Sequence, residues 1–233
     1  MVYPPNLNPG QAASANTALF LAYFALVELA GLRRGRCVVI TAATASTGIA
    51  ALQLAKKLEA KCIAITRSSS SKVELTSAGA DHVIVAGEED VRDAIFDLTE
   101  GLGADLIYDA VGGPGLEELV WATRRLGRII VYGALGNGTA ETRIPLGACF
   151  IRGVTVYAGV TIFDFTGNRR LGIAPDRAAV KRAKTFIAKD RPRVRRPGTV
   201  PISATVYGNA RPEREGCYLI AVVPLRSTTW RRV

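Results

Sequence analysis

The feature that most constrains this chain is an alternation of short apolar runs with stretches of helical spacing, repeated from Arg36 to Val160. Cys37-Val38-Val39-Ile40-Thr41 has strand length. Small residues follow to Gly48, and Ile49 to Leu58 then carries apolar residues at helical spacing. Lys56 and Lys57 stand near its end, where cations suit the helix dipole. Cys62 to Thr66 reads as a second strand, the serines from Ser68 to Ser71 open a helix that Gly79 ends, and His82 to Val85 reads as a third strand. Gly87-Glu88-Glu89-Asp90 begins the next helix with acids in its first turn, before a fourth strand at Asp105–Tyr108. Gly112 to Gly115 turns into a helix predicted over Leu116–Leu126. Arg128–Tyr132 and Val154–Val160 complete six strands. Strands apolar on both faces and separated by helices predict an α/β fold: a doubly wound parallel sheet of the Rossmann type, covered by helices on both sides.

Composition narrows the class. An apolar content of 48% is ample for a buried core. The cysteines stand at 37, 62, 149 and 217 with no C-x-x-C spacing, and there is one histidine, His82. This argues against a zinc site built within the chain, so no metal is expected. Buried cysteines in a reducing, cytoplasmic setting are the expectation. The net charge of +10 invites a nucleic-acid reading, but residues 191–233 hold nine arginines, no lysine and two glutamates. The basic character therefore belongs mostly to the tail, which shows no recognised nucleic-acid motif, and no nucleic-acid partner is expected.

The apolar run from Ala12 to Ala30 is long enough to consider as a membrane span. It contains Asn16, Thr17 and Glu28, and its positive charges, Arg33, Arg34 and Arg36, follow it rather than precede it. That is the wrong order for a signal peptide, and the polar residues would be costly in lipid. A helix that packs on the domain is expected, with no membrane partner. Residues 161–190 read as a loop and a helix from Asp176 to Ala188, and Arg191 to Gly198 is rich in breakers and cations.

The turn after the first strand carries the chemistry. A dinucleotide site needs a tight strand-to-helix turn, a small residue where the pyrophosphate approaches the backbone, and a third small residue where helix meets strand. Ala43, Ala45 and Gly48 occupy those positions, and amides from about Ser46 and Thr47 to Ile49 would face a phosphate. With one glycine of the usual three, a purely structural turn is the alternative. After the second strand an NAD site usually places an acid, whereas Thr66-Arg67-Ser68-Ser69-Ser70-Ser71-Lys72 has none. Arg67, Ser68 and Lys72 could contact a 2′-phosphate, which favours NADP(H) as cofactor; a solvated serine-rich loop is the alternative.

The run Gln53-Leu54-Ala55-Lys56, the element Gly79-Ala80-Asp81-His82-Val83-Ile84, the Asp109-Ala110-Val111-Gly112-Gly113 turn and the Gly127–Gly133 strand occur in that order. Together they resemble the cofactor domain of zinc-independent quinone oxidoreductases in the medium-chain dehydrogenase/reductase superfamily. The resemblance covers residues 4 to about 190. It implies that Ala45 to Gly48 cradle the pyrophosphate, and that Val111, Gly112, Tyr132, Gly133 and Leu135 approach the ribose and nicotinamide. Tyr132 has a rival reading as a strand-end core aromatic. It implies hydride transfer to a quinone or an activated alkene or carbonyl as a small-molecule substrate, and no catalytic acid transfers with it. It also implies a homodimer through the edge strand at residues 153–160.

The departures from the family pattern shape the expected domains. Residues 1–35 read as a linker helix left from a barrel domain that is missing. The 36–160 segment is the NADP-binding domain, and residues 191–233 are an atypical tail, disordered or frame-shifted. A non-catalytic NADP-binding fragment is the alternative to an enzyme. The Ala18 to Leu29 helix is expected to expose apolar surface.

Overall fold

The computed structural model describes residues 17–136, 142–159, 165–167 and 173–189, with the side chains of 188 and 189 excepted. These lie in the first of two units, Met1–Asp190. The second, Arg191–Val233, and with it the expectation about the tail, lies outside the described residues.

Six parallel strands form one sheet: β1 (Cys37–Ile40), β2 (Lys61–Thr66), β3 (His82–Val85), β4 (Ala104–Asp109), β5 (Thr123–Val131) and β6 (Thr155–Ala158). Their order is β3-β2-β1-β4-β5-β6. The chain therefore winds outward from β1 to β3, then crosses back to β4 and winds outward the other way. Alternate residues face opposite sides, and both sides are dry. Val38, Ile40, Cys62, Ala64, Leu106, Tyr108 and Ile130 join one core; Cys37, Val39, Ile63, Ile65, Ile107 and Ile129 join the other. The doubly wound reading holds because each strand is apolar at every position that meets a helix layer.

The helices are α1 (residues 17–29), α2 (Ser46–Lys57), α3 (Lys72–Ala78), α4 (Val91–Leu98), α5 (Leu116–Ala122), α6 (Leu146–Arg152) and α7 (Arg177–Lys189). The last six residues of α1, Phe24–Leu29, are wound as a π-helix, and the Ala30 N–H reaches the Ala25 carbonyl. Contrary to expectation, α1 does not leave its apolar side bare. Ala22 to Leu26 are buried in the first core. Phe24 stacks on Phe165 with ring centroids 4.7 Å apart, and Tyr23 meets Phe186 of α7 at 5.2 Å. Burying Phe24 and Leu26 alone is worth about 1.5–3 kcal/mol each. Arg182 of α7 clamps the pair by donating from Nε (2.9 Å) and Nη2 (2.6 Å) to the Glu28 carboxylate.

The predicted helix over Leu116–Leu126 is too long. It ends at Ala122, and the chain enters β5 at Thr123. Thr123 pairs with Ala104, but the ladder resumes only at Leu106 with Arg128, so residues 124–127 form an irregular entry. Leu126 continued the apolar spacing yet is 79% exposed, at φ 60°. Apolar spacing misled here because Leu126 is not a core residue.

Candidate functional site

In an open parallel sheet, ligands bind beyond the carboxyl ends of the strands where the winding reverses. Here that point lies between β1 and β4, which pair Val38 with Leu106 and Ile40 with Tyr108. Two loops meet there, Thr41–Ala45 after β1 and Ala110–Gly112 after β4.

The first loop turns sharply. Ala42 adopts φ 45°, and the Ala43 N–H donates to the Ile65 carbonyl of β2. Ala45 sits extended at the N-cap of α2 with no side-chain cap. The first amides of α2, at Ser46, Thr47 and Gly48, therefore keep the unmet donors of a helix N-terminus, with no acid in the first turn to compete for them. Gly48 is buried, and a Cβ there would stand 2.6 Å from the Ala43 carbonyl oxygen and 2.7 Å from its Cα. Only hydrogen lets α2 approach the turn this closely, which is the role the third fingerprint position requires.

The second loop is organised by a group that sequence reading passed over. Asp109 is fully buried at the end of β4. Its Oδ1 accepts from the Thr41 hydroxyl at 2.6 Å and the Val111 N–H at 3.0 Å, and its Oδ2 accepts from the Gly112 N–H at 2.9 Å. Thr41 Oγ1 accepts in turn from the Ala110 N–H at 2.9 Å. A buried carboxylate thus joins the two loops through neutral donors. The signal was present as an apolar strand ending in Asp, and the sequence alone assigns Asp109 no role because its partner Thr41 lies 68 residues earlier.

The other predicted residues occupy a common end of the sheet. Arg67 and Ser68 follow β2 directly, Lys72 opens α3, and all three are exposed. Ser68 Oγ lies 2.8 Å from Ser70 Oγ. Val111 and Gly112 lie in the loop after β4. Tyr132, Gly133 and Leu135 follow β5, with the Tyr132 N–H on the Asp109 carbonyl and the Leu135 N–H on the Ala110 carbonyl. The Tyr132 ring stacks on Tyr108 with centroids 3.9 Å apart, and burial raises both phenol pKa values. Their hydroxyls are buried with no partner among the described residues. His82 begins β3, at the opposite end of its strand from these loops.

Among the described residues, no group of three His, Cys, Asp or Glu side chains could hold a metal ion. Cys37 and Cys62 face opposite sides of the sheet, and burial pushes each thiol up to about 12, so neither is a ready thiolate ligand. No helix of the described residues is long and apolar enough to cross a membrane.

A family model described as zinc-binding dehydrogenase matches residues 46–169. Prostaglandin reductase-3 of Bos taurus is 38% identical over 121 residues, which are 52% of this chain and 32% of that protein. Quinone oxidoreductase-like protein 2 homolog of Nematostella vectensis is 33% identical over 131 residues, covering 56% and 36% of the two chains. The chain thus spans about a third of the length of these relatives. Among solved structures, Escherichia coli quinone oxidoreductase complexed with NADPH superposes with a TM-score of 0.70 at 22% identity, covering 82% of this chain and 56% of that one. At that identity the likeness concerns the fold.

Proposed function

The chain belongs to the zinc-binding dehydrogenase family, and from that membership we propose that it is an NADP(H)-dependent oxidoreductase of the quinone oxidoreductase kind. The family's name speaks of zinc, but the described residues do not fit that metal. They do fit a dinucleotide. The observation that carries the reading is the uncapped N-terminus of α2, seated on Ala43 through Gly48 at the switch point. Ala45, Ser46, Thr47 and Gly48 would hold the pyrophosphate. Arg67, Ser68 and Lys72 would take the 2′-phosphate, because β2 ends without an acid. Val111, Gly112, Gly133 and Leu135 would border the ribose and nicotinamide, with Tyr132 supporting that loop through its backbone. The nicotinamide, when bound, supplies the hydride, and a quinone or activated alkene or carbonyl receives it. The protein's own work is to bind, orient and exclude water. The NADPH-bound quinone oxidoreductase among the similar structures and the named activities of the relatives support this reading.

The test begins with NADPH and NADH titrations of wild type and Arg67→Ala. NADPH should bind more tightly, and the substitution should weaken NADPH about tenfold or more, since charge-assisted hydrogen bonds contribute ~1.5–3 kcal/mol. Equal loss for both cofactors would refute the assignment of Arg67. A second reading, a chain that binds NADP(H) without turning over, is favoured by the span of the match, which reaches only a third of each relative. NADPH oxidation with a simple quinone separates the two.

A homodimer through the β6 edge belongs to the same proposal. Among the described residues β6 pairs only with β5 and closes one side of the strand order, and a sheet edge is where a strand of another chain can add. Beside it α6 exposes Leu146, Phe150 and Ile151, with Phe150 at 88%. A second copy would cover both.

A further inference from the structure

The opposite end of the sheet holds a second, differently built cavity. It is a cleft of about 490 Å³ at the amino ends of β1, β4 and β5, where Ala30–Arg33 after α1 faces Arg124–Arg128. That volume lies within the range of ordinary small-molecule sites. Among the described residues its lining holds five arginines, Arg33, Arg36, Arg124, Arg125 and Arg128, against one acid, Asp105.

The single acid does not neutralise the cleft. Arg36 Nη1 and Arg124 Nη1 both donate to the same Asp105 oxygen, each at 2.6 Å, while the Cys37 N–H takes the other at 2.9 Å. Each of these arginines uses one of its five donors on Asp105 and keeps the rest. Arg128 Nη1 donates to the Leu29 and Ala30 carbonyls at 3.1 Å, and Arg125 Nη1 to the Ile151 carbonyl at 3.2 Å. The Arg33 side chain makes no hydrogen bond or ion pair among the described residues. Carbonyls and one shared carboxylate thus hold four of the five arginines, and the single carboxylate offsets only one of their charges.

The backbone is shaped to bring them together. In a regular strand Arg124 and Arg125 would point to opposite faces. Here the irregular entry to β5 turns both onto the cleft, through Leu126 at φ 60° and Gly127, where a Cβ would lie 2.5 Å from Thr123 Cγ2 and 2.9 Å from the Arg124 carbonyl oxygen. Among the described residues no aromatic side chain lines the cleft, so a base or hydrophobic ring finds none of them to stack on.

We propose that this cleft binds a compact polyphosphate-type oxyanion, of which pyrophosphate is the smallest member. Planar guanidiniums match phosphate oxygens in pairs, and several of them converging in one cavity suit a ligand with several charges close together. The site is distinct from the cofactor crevice, since it lies at the other end of the strands, and it does not depend on the cofactor reading.

The test is calorimetric titration of the full chain with pyrophosphate, for wild type, the double variant Arg33→Gln/Arg125→Gln, and Leu126→Glu. Arg33, Arg125 and Leu126 are exposed, and none of them touches Asp105, so circular dichroism should report the native fold for both variants. Wild type is expected to bind saturably and more weakly as salt rises. Affinity should fall at least tenfold in the double variant and also in Leu126→Glu, which sets a carboxylate at the rim. No saturable binding by wild type would overturn the proposal. Unchanged affinity in both variants would also overturn it, since pyrophosphate held by the α2 turn would behave that way. Polyglutamate binding as tightly as pyrophosphate would overturn it in favour of an acidic protein partner.

Discussion

Replacing Thr41 by Val tests whether the loop junction at the switch point is held as described. The substitution keeps the shape of a side chain that is almost fully buried and removes only its hydroxyl. Two bonds go with it: the 2.6 Å donation to the Asp109 carboxylate and the 2.9 Å acceptance from the Ala110 N–H. A hydrogen bond to a charged group contributes ~1.5–3 kcal/mol, and a buried N–H left without a partner costs ~1–3 kcal/mol. The added methyl returns about 0.8 kcal/mol at most. Because the losses share one site and do not simply add, we expect a net destabilisation of about 2–4 kcal/mol, measured as a shift in the urea midpoint with unchanged slope. At roughly 2–4 °C per kcal/mol for a domain of this size, the melting temperature should fall by about 4–16 °C. Asp109 retains its bonds from the Val111 and Gly112 amides, so the variant should fold. A loss below about 0.5 kcal/mol would refute the reasoning, because the Asp109 carboxylate would then be satisfied without the Thr41 hydroxyl.

Gly48→Ala should abolish measurable NADPH binding and destabilise the chain by about 1–3 kcal/mol, since its methyl meets backbone atoms of Ala43 that no rotamer change can move; wild-type affinity in a fluorescence titration would count against the cradle. Acid should weaken the fold in a defined window. Burial pushes the Asp105 and Asp81 carboxyls up, but the Cys37 and Cys62 N–H groups with Arg36, Arg124 and Lys56 outweigh it, and Arg182 pulls Glu28 down. All three are lowered in the folded chain, so their stabilisation is full above the unfolded values of roughly 3.9–4.3 and is lost as pH falls through the lower folded ones. Urea midpoints should be flat in this contribution from pH 7 to 5 and drop below about pH 4. Phe150→Asp should turn a dimer into a monomer by light scattering, and a wild-type monomer at micromolar concentration would remove the basis for the edge-strand assembly.

Much of the fold was legible because strand and helix differ in period and the central stretches of the inner strands are apolar on both faces. Cys37–Ile40 and His82–Val85 could be read to within a residue. Tertiary effects were not legible. The cover of α1 comes from Phe165 and Phe186, 141 and 163 residues beyond the rings they meet, and no local pattern announces it. The end of α5 is set by Thr123, whose carbonyl accepts from Arg152 Nε at 2.8 Å while its residue pairs with Ala104. The tight turn from β1 into α2 was readable because its requirement is steric and local to one strand and one helix. Asp109 was not, because its meaning lies in a partner 68 residues earlier.

That pairing explains why β4 carries one acid near its start and another at its end. Most neighbouring strands in this sheet follow one another in the chain, and the helix between them brings them together. β1 and β4 are neighbours without that help, because two strands and three helices intervene between them. Their register must be fixed by contacts across the gap, and a slip of one residue would send apolar side chains to the wrong core. Asp105 fixes the amino end by accepting from the Cys37 N–H at 2.9 Å, and Asp109 fixes the carboxyl end by accepting from Thr41 Oγ1 at 2.6 Å. The upper staple ties together the loops after β1 and β4, and the lower one gathers Arg36 and Arg124 at the cleft. The loop junction and the arginine cleft stand at opposite ends of one strand pair because that pair carries a polar anchor at each end.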